Sequence, residues 1–348
     1  MAYTTINKSS DYFNTKLYTG DGTAIGSGGQ AITGVGFQPD FTWIKERSST
    51  SPHKLLDAVR GVTKELESNL TNAESTQAES LASFNSDGFT VGSNGAVNEN
   101  SQTYASWNWL ANGTGSANTD GTISSTVSAN TTAGFSVVSY TGNATAGSTI
   151  GHGLGSAPSM IIAKRRSAVE NWGVYHKSMG ASKYINLDTT TAEQSSTSRW
   201  NGTEPTSSVF SVNTHASVNG SGDTYIAYCF AEKTGYSKFG SYTGNGNADG
   251  TFVYTGFKPA MVIAKRTDST GNWRIRDNKR PEYNVIDKVL RPNTSEAEIT
   301  EDNHDFLSNG FKVRTTGPEN NASGGTFIYM AFAEAPLVGS NNVPCTAR

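Results

Sequence analysis

Short apolar runs broken by turn residues dominate this chain, and one such run is written three times. It reads GFQPDFTWIKER at 36–47, GSAPSMIIAKRR at 155–166 and GFKPAMVIAKR at 256–266. In each copy a Gly stands three residues before a Pro, and a Lys six residues after it: Pro39/Lys45, Pro158/Lys164 and Pro259/Lys265. The apolar stretch between them is too short for a helix and suits a strand. Proline tolerates the first strand position because it has no ladder N–H to offer, and Gly accepts the turn before it.

Other strands follow from the same kind of pattern. Segments ending LYTG (17–20), FSVVSYTG (135–142) and SKFGSYTG (237–244) precede the three runs, and TYASWNWLANG (103–113), GDTYIAYCFAE (222–232) and GGTFIYMAFAE (324–334) close each group. Tyr104, Trp107 and Trp109 predict a core strand with an exposed opposite face. The segment KLLDAVRGVTKELESNL has partial helical spacing in Leu55, Val59, Val62, Leu66 and Leu70. Gly61 and the β-branched neighbours argue for two short strands and a loop instead. Residues 113–134 hold little apolar character beyond Ile123 and Val127 and predict a linker with one short strand around TISSTV.

Further landmarks keep the same order: Glu74, Glu193 and Glu298, then Phe89, Phe210 and Phe311. The intervals are ~100 residues, the first being longer by about the length of 113–134. The expectation is an all-β chain of three tandem ~100-residue β-sandwich domains, each large enough to bury its own core. Their bounds are 1–112, 135–234 and 235–336, with the linker at 113–134 and a C-terminal tail at 337–348. A closed three-part ring is compatible with the same pattern.

Charged residues make up only 16% of the chain, so its polarity comes from Gly, Ser, Thr and Asn, the residues of turns and strand faces. A net charge of −3 gives no electrostatic case for binding nucleic acid or an anionic membrane surface. No apolar stretch is long enough for a membrane-spanning helix, and the N-terminus lacks the pattern of a signal peptide, so folding in a cytoplasm is expected. Cys229 and Cys345 are too few for a metal cage or a disulfide framework. Cys229, inside TYIAYCFAE, is expected to be a buried free thiol.

Candidate chemistry is sparse. Lys45, Lys164 and Lys265, with Glu74, Glu193 and Glu298, recur in every unit. A catalytic pair rebuilt three times in one chain is unusual, and a structural ion pair or a strand-end lysine is the expectation. The five histidines (53, 152, 176, 215 and 304) show no metal-binding spacing, and there is no GxSxG elbow or phosphate-binding loop. Glu170, Asp188, Glu282, Asp287 and Asp302 are the acids from which a glycosidase pair would have to be assembled. The loops NTDG (118–121), NGSGD (219–223) and NADG (247–250) read as turns before calcium sites. No cofactor or metal is expected. Aromatic rings beside polar loops are the better lead, since a flat ring stacks on the CH face of a sugar while neighbouring polar groups pair with its hydroxyls. Of Trp172, Tyr175, Trp200, Trp273 and Tyr283, the recurrent tryptophans 172 and 273 are expected in the core. Tyr175 and Trp200 are the glycan-binding candidates.

The combination of YTGN, the Gly-x-x-Pro strand with its Lys, and TYIAYCFAE or TFIYMAFAE resembles virion proteins of tailed marine bacteriophages. DYFNTKLYTGDG with ITGVGFQPDFTWIK is similar to the usual start of that group. The resemblance covers about 10–335 and implies tail-fibre-like or concanavalin/lectin-like (jelly-roll) sandwich repeats. It implies a non-enzymatic virion-surface protein, assembled in the host cytoplasm and contacting other virion proteins and host surface polysaccharide, with a homotrimer as the expected assembly. Tail-fibre or receptor-binding function comes first. Capsid or tail decoration is second, because the chain opens directly in its first repeat, or that repeat is itself the virion anchor. A glycan-degrading tail enzyme is third.

Overall fold

In the computed structural model, which describes residues 4–336, all three Gly-x-x-Pro turns deliver a strand. Gly36, Gly155 and Gly256 take φ of 90°, 68° and 87°, a region that a Cβ makes costly, so glycine is required there. The first segment of the chain forms β1 (Phe13–Thr19), β2 (Gln30–Thr33), β3 (Phe41–Glu46), β4 (Lys54–Asp57), β5 (Lys64–Glu65), β6 (Ser75–Thr76), β7 (Leu81–Asn85), β8 (Gly88–Val91) and β9 (Thr103–Trp109). Next come β10 (Ser116–Asn118) and β11 (Ser125–Asn130). The second segment holds β12 (Phe135–Thr141), β13 (Ser148–Gly151), β14 (Met160–Arg165), β15 (Gly173–His176), β16 (Lys183–Asn186), β17 (Gln194–Ser195), β18 (Val209–Val212) and β19 (Thr224–Phe230). The third holds β20 (Ser237–Thr243), β21 (Phe252–Tyr254), β22 (Phe257–Arg266), β23 (Arg274–Asp277), β24 (Ile286–Val289), β25 (Ile299–Leu307), β26 (Gly310–Val313) and β27 (Thr326–Pro336).

The protein is all-β and sandwich-like, with antiparallel ladders throughout the named strand pairs. One large sheet has the order β1-β9-β3-β4, another β20-β27-β22-β23, and the third contains β12-β19-β14-β15 with further strands on both sides. Smaller sheets, β2-β8-β7, β13-β18 and β21-β26-β25-β24, accompany them. Lys45, Lys164 and Lys265 each occupy the next-to-last position of β3, β14 and β22. Pro39 and Pro158 precede their strands, whereas Pro259 lies inside β22 at a register shift against β27, the irregularity that lets a sheet accept proline.

Before the closing strand of each segment stands a four-residue helix: α1 (Gly95–Asn98), α2 (Ala216–Asn219) and α3 (Pro318–Asn321). Each ends on a buried asparagine that explains the YTG motif. Asn98, Asn219 and Asn321 accept, through Oδ1, the backbone N–H of Asp21, Asn143 and Asn245 at 2.8–2.9 Å. The motif tyrosines Tyr18, Tyr140 and Tyr242 donate to the carbonyls of Val97, Val218 and Asn320 at 2.7–2.9 Å.

The large sheets are buried on both faces. One face packs on the small sheet of its own segment, as Ile44, Leu56, Phe89 and Tyr104 do in the first. The other faces of all three sheets meet in a single core that includes Trp43, Trp107, Tyr228, Phe239 and Ile263. At its centre Trp109, Phe230 and Phe332, the matching residues of β9, β19 and β27, touch pairwise. Their ring centroids are 5.7–6.1 Å apart and their planes are inclined at 65–72°. Edge-to-face geometry sets the positive rim of one ring against the negative face of the next, which favours such a triangle.

Three sequence expectations need correction. Strand β9 has no exposed face, because its second face meets the other two sheets. Residues 113–134 are not a loose linker: β11 pairs with β12 over six positions and carries β10 beyond it. Backbone bonds carry much of this attachment, so Ser, Thr and Asn suffice around Ile123 and Val127, which are buried in the second segment's core. Finally, the segments are not strung in series; they close on themselves through the seams described next. The 337–348 tail and Cys345 lie outside the described residues.

Candidate functional site

The recurrent Lys and Glu positions come together at three equivalent seams between segments. Glu74 N–H donates to Arg166 O, Glu193 N–H to Thr267 O, and Glu298 N–H to Arg47 O, all at 2.8–2.9 Å. Three residues earlier, the carbonyls of Thr71, Thr190 and Ser295 accept from Glu170, Gly271 and Ser51 at 2.8–2.9 Å. Seven residues earlier, the carbonyl of Glu67 accepts Trp172 Nε1 at 3.0 Å, and that of Asn186 accepts Trp273 Nε1 at 2.9 Å. In the third seam the partner is a histidine. His53 Nδ1 accepts Trp43 Nε1, which assigns the proton to Nε2, and Nε2 donates to Arg291 O at 3.0 Å. Segment one thus binds two, two binds three, and three binds one.

Arginine–glutamate ion pairs reinforce two of these seams. Arg166 and Arg47 each make paired bonds to Glu74 and Glu298. Thr267 replaces the arginine at the remaining seam, and Glu193 turns to Lys183 of its own segment. The lysines do not pair with these glutamates. Lys164 Nζ donates to Thr71 O and Glu170 O, Lys265 Nζ to Thr190 O and Arg266 O, and Lys45 Nζ to Glu46 O and Ser49 O. Burial disfavours their charge and lowers each ammonium to a pKa of about 8. Pro39 and Pro158 stand before their strands and Pro259 within β22, so the whole recurrent set belongs to the framework.

Tyr175 and Trp200 are not a glycan platform. Each is only 2% exposed, and the two rings pack edge to face, 6.0 Å apart, inside the second segment. The Tyr175 hydroxyl donates to Glu204, whose other oxygen accepts Ala181 N–H. The polar neighbours that suggested a loop come instead from chain folding over the sheet. Trp172 and Trp273 are core residues, as expected.

Much of the other candidate chemistry is bonded within the protein. Asp188 accepts Asn171 Nδ2 and Trp172 N–H, and burial raises its pKa. Glu170 accepts Asn171 N–H. An open polar cleft in the first segment holds Lys54 between Glu65 and Glu67 at 2.6 and 2.8 Å, with Glu79 engaged by Ile25 and Ser93 N–H groups. In the Asp-containing loops, Asp223 binds Arg165 and Asp249 binds Lys312. Among the described residues, no group of three or more His, Cys, Asp and Glu side chains is gathered to hold a metal. Cys229 is buried and free, and burial pushes its thiol pKa up.

Exposed aromatic surface lies elsewhere, on the third segment. Phe252 is 43% exposed, Tyr254 57% and Tyr283 77%, while Val253 between the first two is buried. Strand alternation therefore turns Phe252 and Tyr254 outward from β21, one edge of the β21-β26-β25-β24 sheet. Tyr283 stands at the other edge. Its neighbour Asn284 clasps Phe306 of β25 through both N–H and C=O, at 2.8 and 3.0 Å. The signal for Phe252 and Tyr254 was present in TFVY, whose alternating rings stand where the other segments have QAIT and STIG.

With this architecture in view, the class is an all-β, sandwich-like protein closed around a shared aromatic core. Residues 8–336 match a family described as a domain of unknown function (DUF7483), and the chain belongs to that family. The match runs unbroken through all three segments. No curated protein and no solved structure matches the chain.

Proposed function

We propose that this protein is a non-enzymatic component of the surface of a tailed-phage particle, of tail-fibre or receptor-binding type. It is built from three copies of one ~100-residue lectin-like sandwich unit closed around an internal pseudo-threefold axis. The observation that carries the non-enzymatic reading is the position of the recurrent Lys and Glu. The residues most suggestive of chemistry lie at or beside the seams, where they are engaged by backbone groups and by Arg47, Arg166 and Lys183 and leave little place for a substrate. A stiff body held by a common core suits a structural or adhesive role.

Assembly belongs to the same reading. Strands β1 and β20 end their sheets, whereas the matching β12 is covered by β11. The two open edges are the route to the expected homotrimer, since uncovered strand edges pair readily. A monodisperse monomer at high concentration in light scattering counts against that assembly. Decoration of the capsid or tail is the second reading, favoured because closure makes a knob and not a rod.

The deciding experiment is antibody labelling of intact particles, viewed by electron microscopy. Label at the tail tip supports adhesion, and label spread over the head replaces it with decoration. Particles without label overturn the virion assignment.

A further inference from the structure

We propose that the outer face of the β21-β26-β25-β24 sheet is a carbohydrate-binding platform. Phe252 and Tyr254 stack on sugars at one edge and Tyr283 at the other, while Lys312 and Asp305 between them meet the hydroxyls. This deepens the adhesive reading above and rests on it.

Comparison among the three segments isolates the face. Ile32, Ile150 and Val253 are matching inward residues, paired with Phe89, Phe210 and Phe311 of the neighbouring strands. The outward residues flanking them are Ala31 and Thr33 in the first segment, Thr149 and Gly151 in the second, and Phe252 and Tyr254 in the third. Only the third position carries rings. Exposed aromatic area is costly to hydrate, and the equally uncovered edge of the first segment carries the small Ala31 and Thr33 on the same backbone, whereas Thr149 and Gly151 of the second lie under residues 118–123. Packing therefore does not demand these rings. Phe252 also lies across Gly310, its Cζ 3.0 Å from where a Cβ would stand, so the missing side chain leaves room for the ring to lie along the sheet.

The composition of the face selects the ligand class. Lys312 and Arg314 are opposed by Asp249 and Asp305, so the strip between the rings has no excess charge to attract nucleic acid or an anionic membrane. Lys312 and Asp305, in register with Phe252, also place charge between the rings, whereas the core of a protein interface is depleted of charge. Rings at two edges with paired donors and acceptors between them match the alternation of CH faces and hydroxyls along a sugar chain. Three strand spacings separate the edges by roughly 14 Å, a span for about three sugar residues.

The test is binding of the full-length protein to an array of neutral oligosaccharides, three to six residues long, in the glucose, galactose, mannose and N-acetylglucosamine series. Wild type is compared with the double variant Tyr254→Ala/Tyr283→Ala and with Thr33→Ala, the control at the matching position. Wild type and control are expected to bind one series alike, with the double variant at least tenfold weaker and its melting temperature unchanged. Equal binding by all three overturns the platform and leaves the adhesive reading standing. Failure of wild type to bind any series overturns the platform and the glycan-contact part of that reading together. Sugar binding by a protein that labels no particle keeps the platform and removes the virion assignment.

Discussion

Arg47 and Glu298 lie 251 residues apart in the chain, yet the guanidinium of one grips the carboxylate of the other at 2.9 and 3.0 Å. Glu298 N–H also donates to Arg47 O. This contact joins the third segment back to the first and completes the ring. Arg280, whose side chain is fully buried, shares the same carboxylate at 3.2 Å. Replacing Glu298 with Ala leaves both arginines short of a partner, and a loss of about 3 kcal/mol is expected. Denaturant unfolding of Glu298→Ala checks this; a midpoint within experimental error of wild type would show that the seam is held by its backbone bonds alone.

Shared burial predicts cooperative unfolding. The inner faces of the three large sheets have no covering except one another, so no segment can melt and leave the others intact. Calorimetry is expected to give one transition. The fragment 113–234 should fail to fold as a soluble monomer, because it presents Phe135, Trp172, Tyr228 and Phe230 to water. Phe332→Ala, at the centre of the triangle, is expected to cost about 3–5 kcal/mol. A natively folded fragment would refute the shared-core account.

The three seam lysines give stability a dependence on alkaline pH. Their folded pKa values, near 8, lie below the ordinary 10.5. In that interval the unfolded chain binds protons that the folded chain has released, so stability rises with pH. The raised pKa of Cys229 opposes the trend above pH 9, which makes pH 8–9 the informative window. Lys164→Met is expected to flatten the rise by about a third, as one of three independent contributors. Identical slopes for the variant and wild type would exclude the lysines as its source.

Acid acts through His176. Burial lowers its pKa from 6.5 to about 4, and its ring bridges to Tyr329 O at 3.1 Å. Its neutral form contributes stability in full above pH 6.5. That contribution declines as pH falls, by about 3 kcal/mol at pH 4. His53, lowered in the same direction by burial, adds to the effect. The double variant His53→Gln/His176→Gln should show a shallower acid limb in a pH series of unfolding midpoints, whatever its stability at pH 7; an unchanged limb would assign it to carboxylates.

Much of the fold was legible because it is local. Gly-x-x-Pro geometry, period-two burial and Asn/Asp turns act over a few residues, so the strand entries at 39, 158 and 259 could be read from the chain. Their recurrence carried the expectation of a three-part layout. The core positions of Trp172 and Trp273 followed from repetition of the NW pair.

Tertiary structure alone decided how the parts face one another. Nothing adjacent to Tyr175 or Trp200 in sequence reveals the chain that covers them. Nor does the pattern in 103–109 distinguish a sheet covered on one face from a sheet covered on both. The polar strands β10 and β11 escaped an apolar pattern because backbone hydrogen bonding depends on a neighbouring edge and not on side-chain type. Sequence by itself determined an all-β chain with recurrent strand entries and with lysines at their ends. Long-range packing decided that these units form a ring, because the Trp109–Phe230–Phe332 contact and the Arg47–Glu298 seam unite residues whose proximity no local rule encodes.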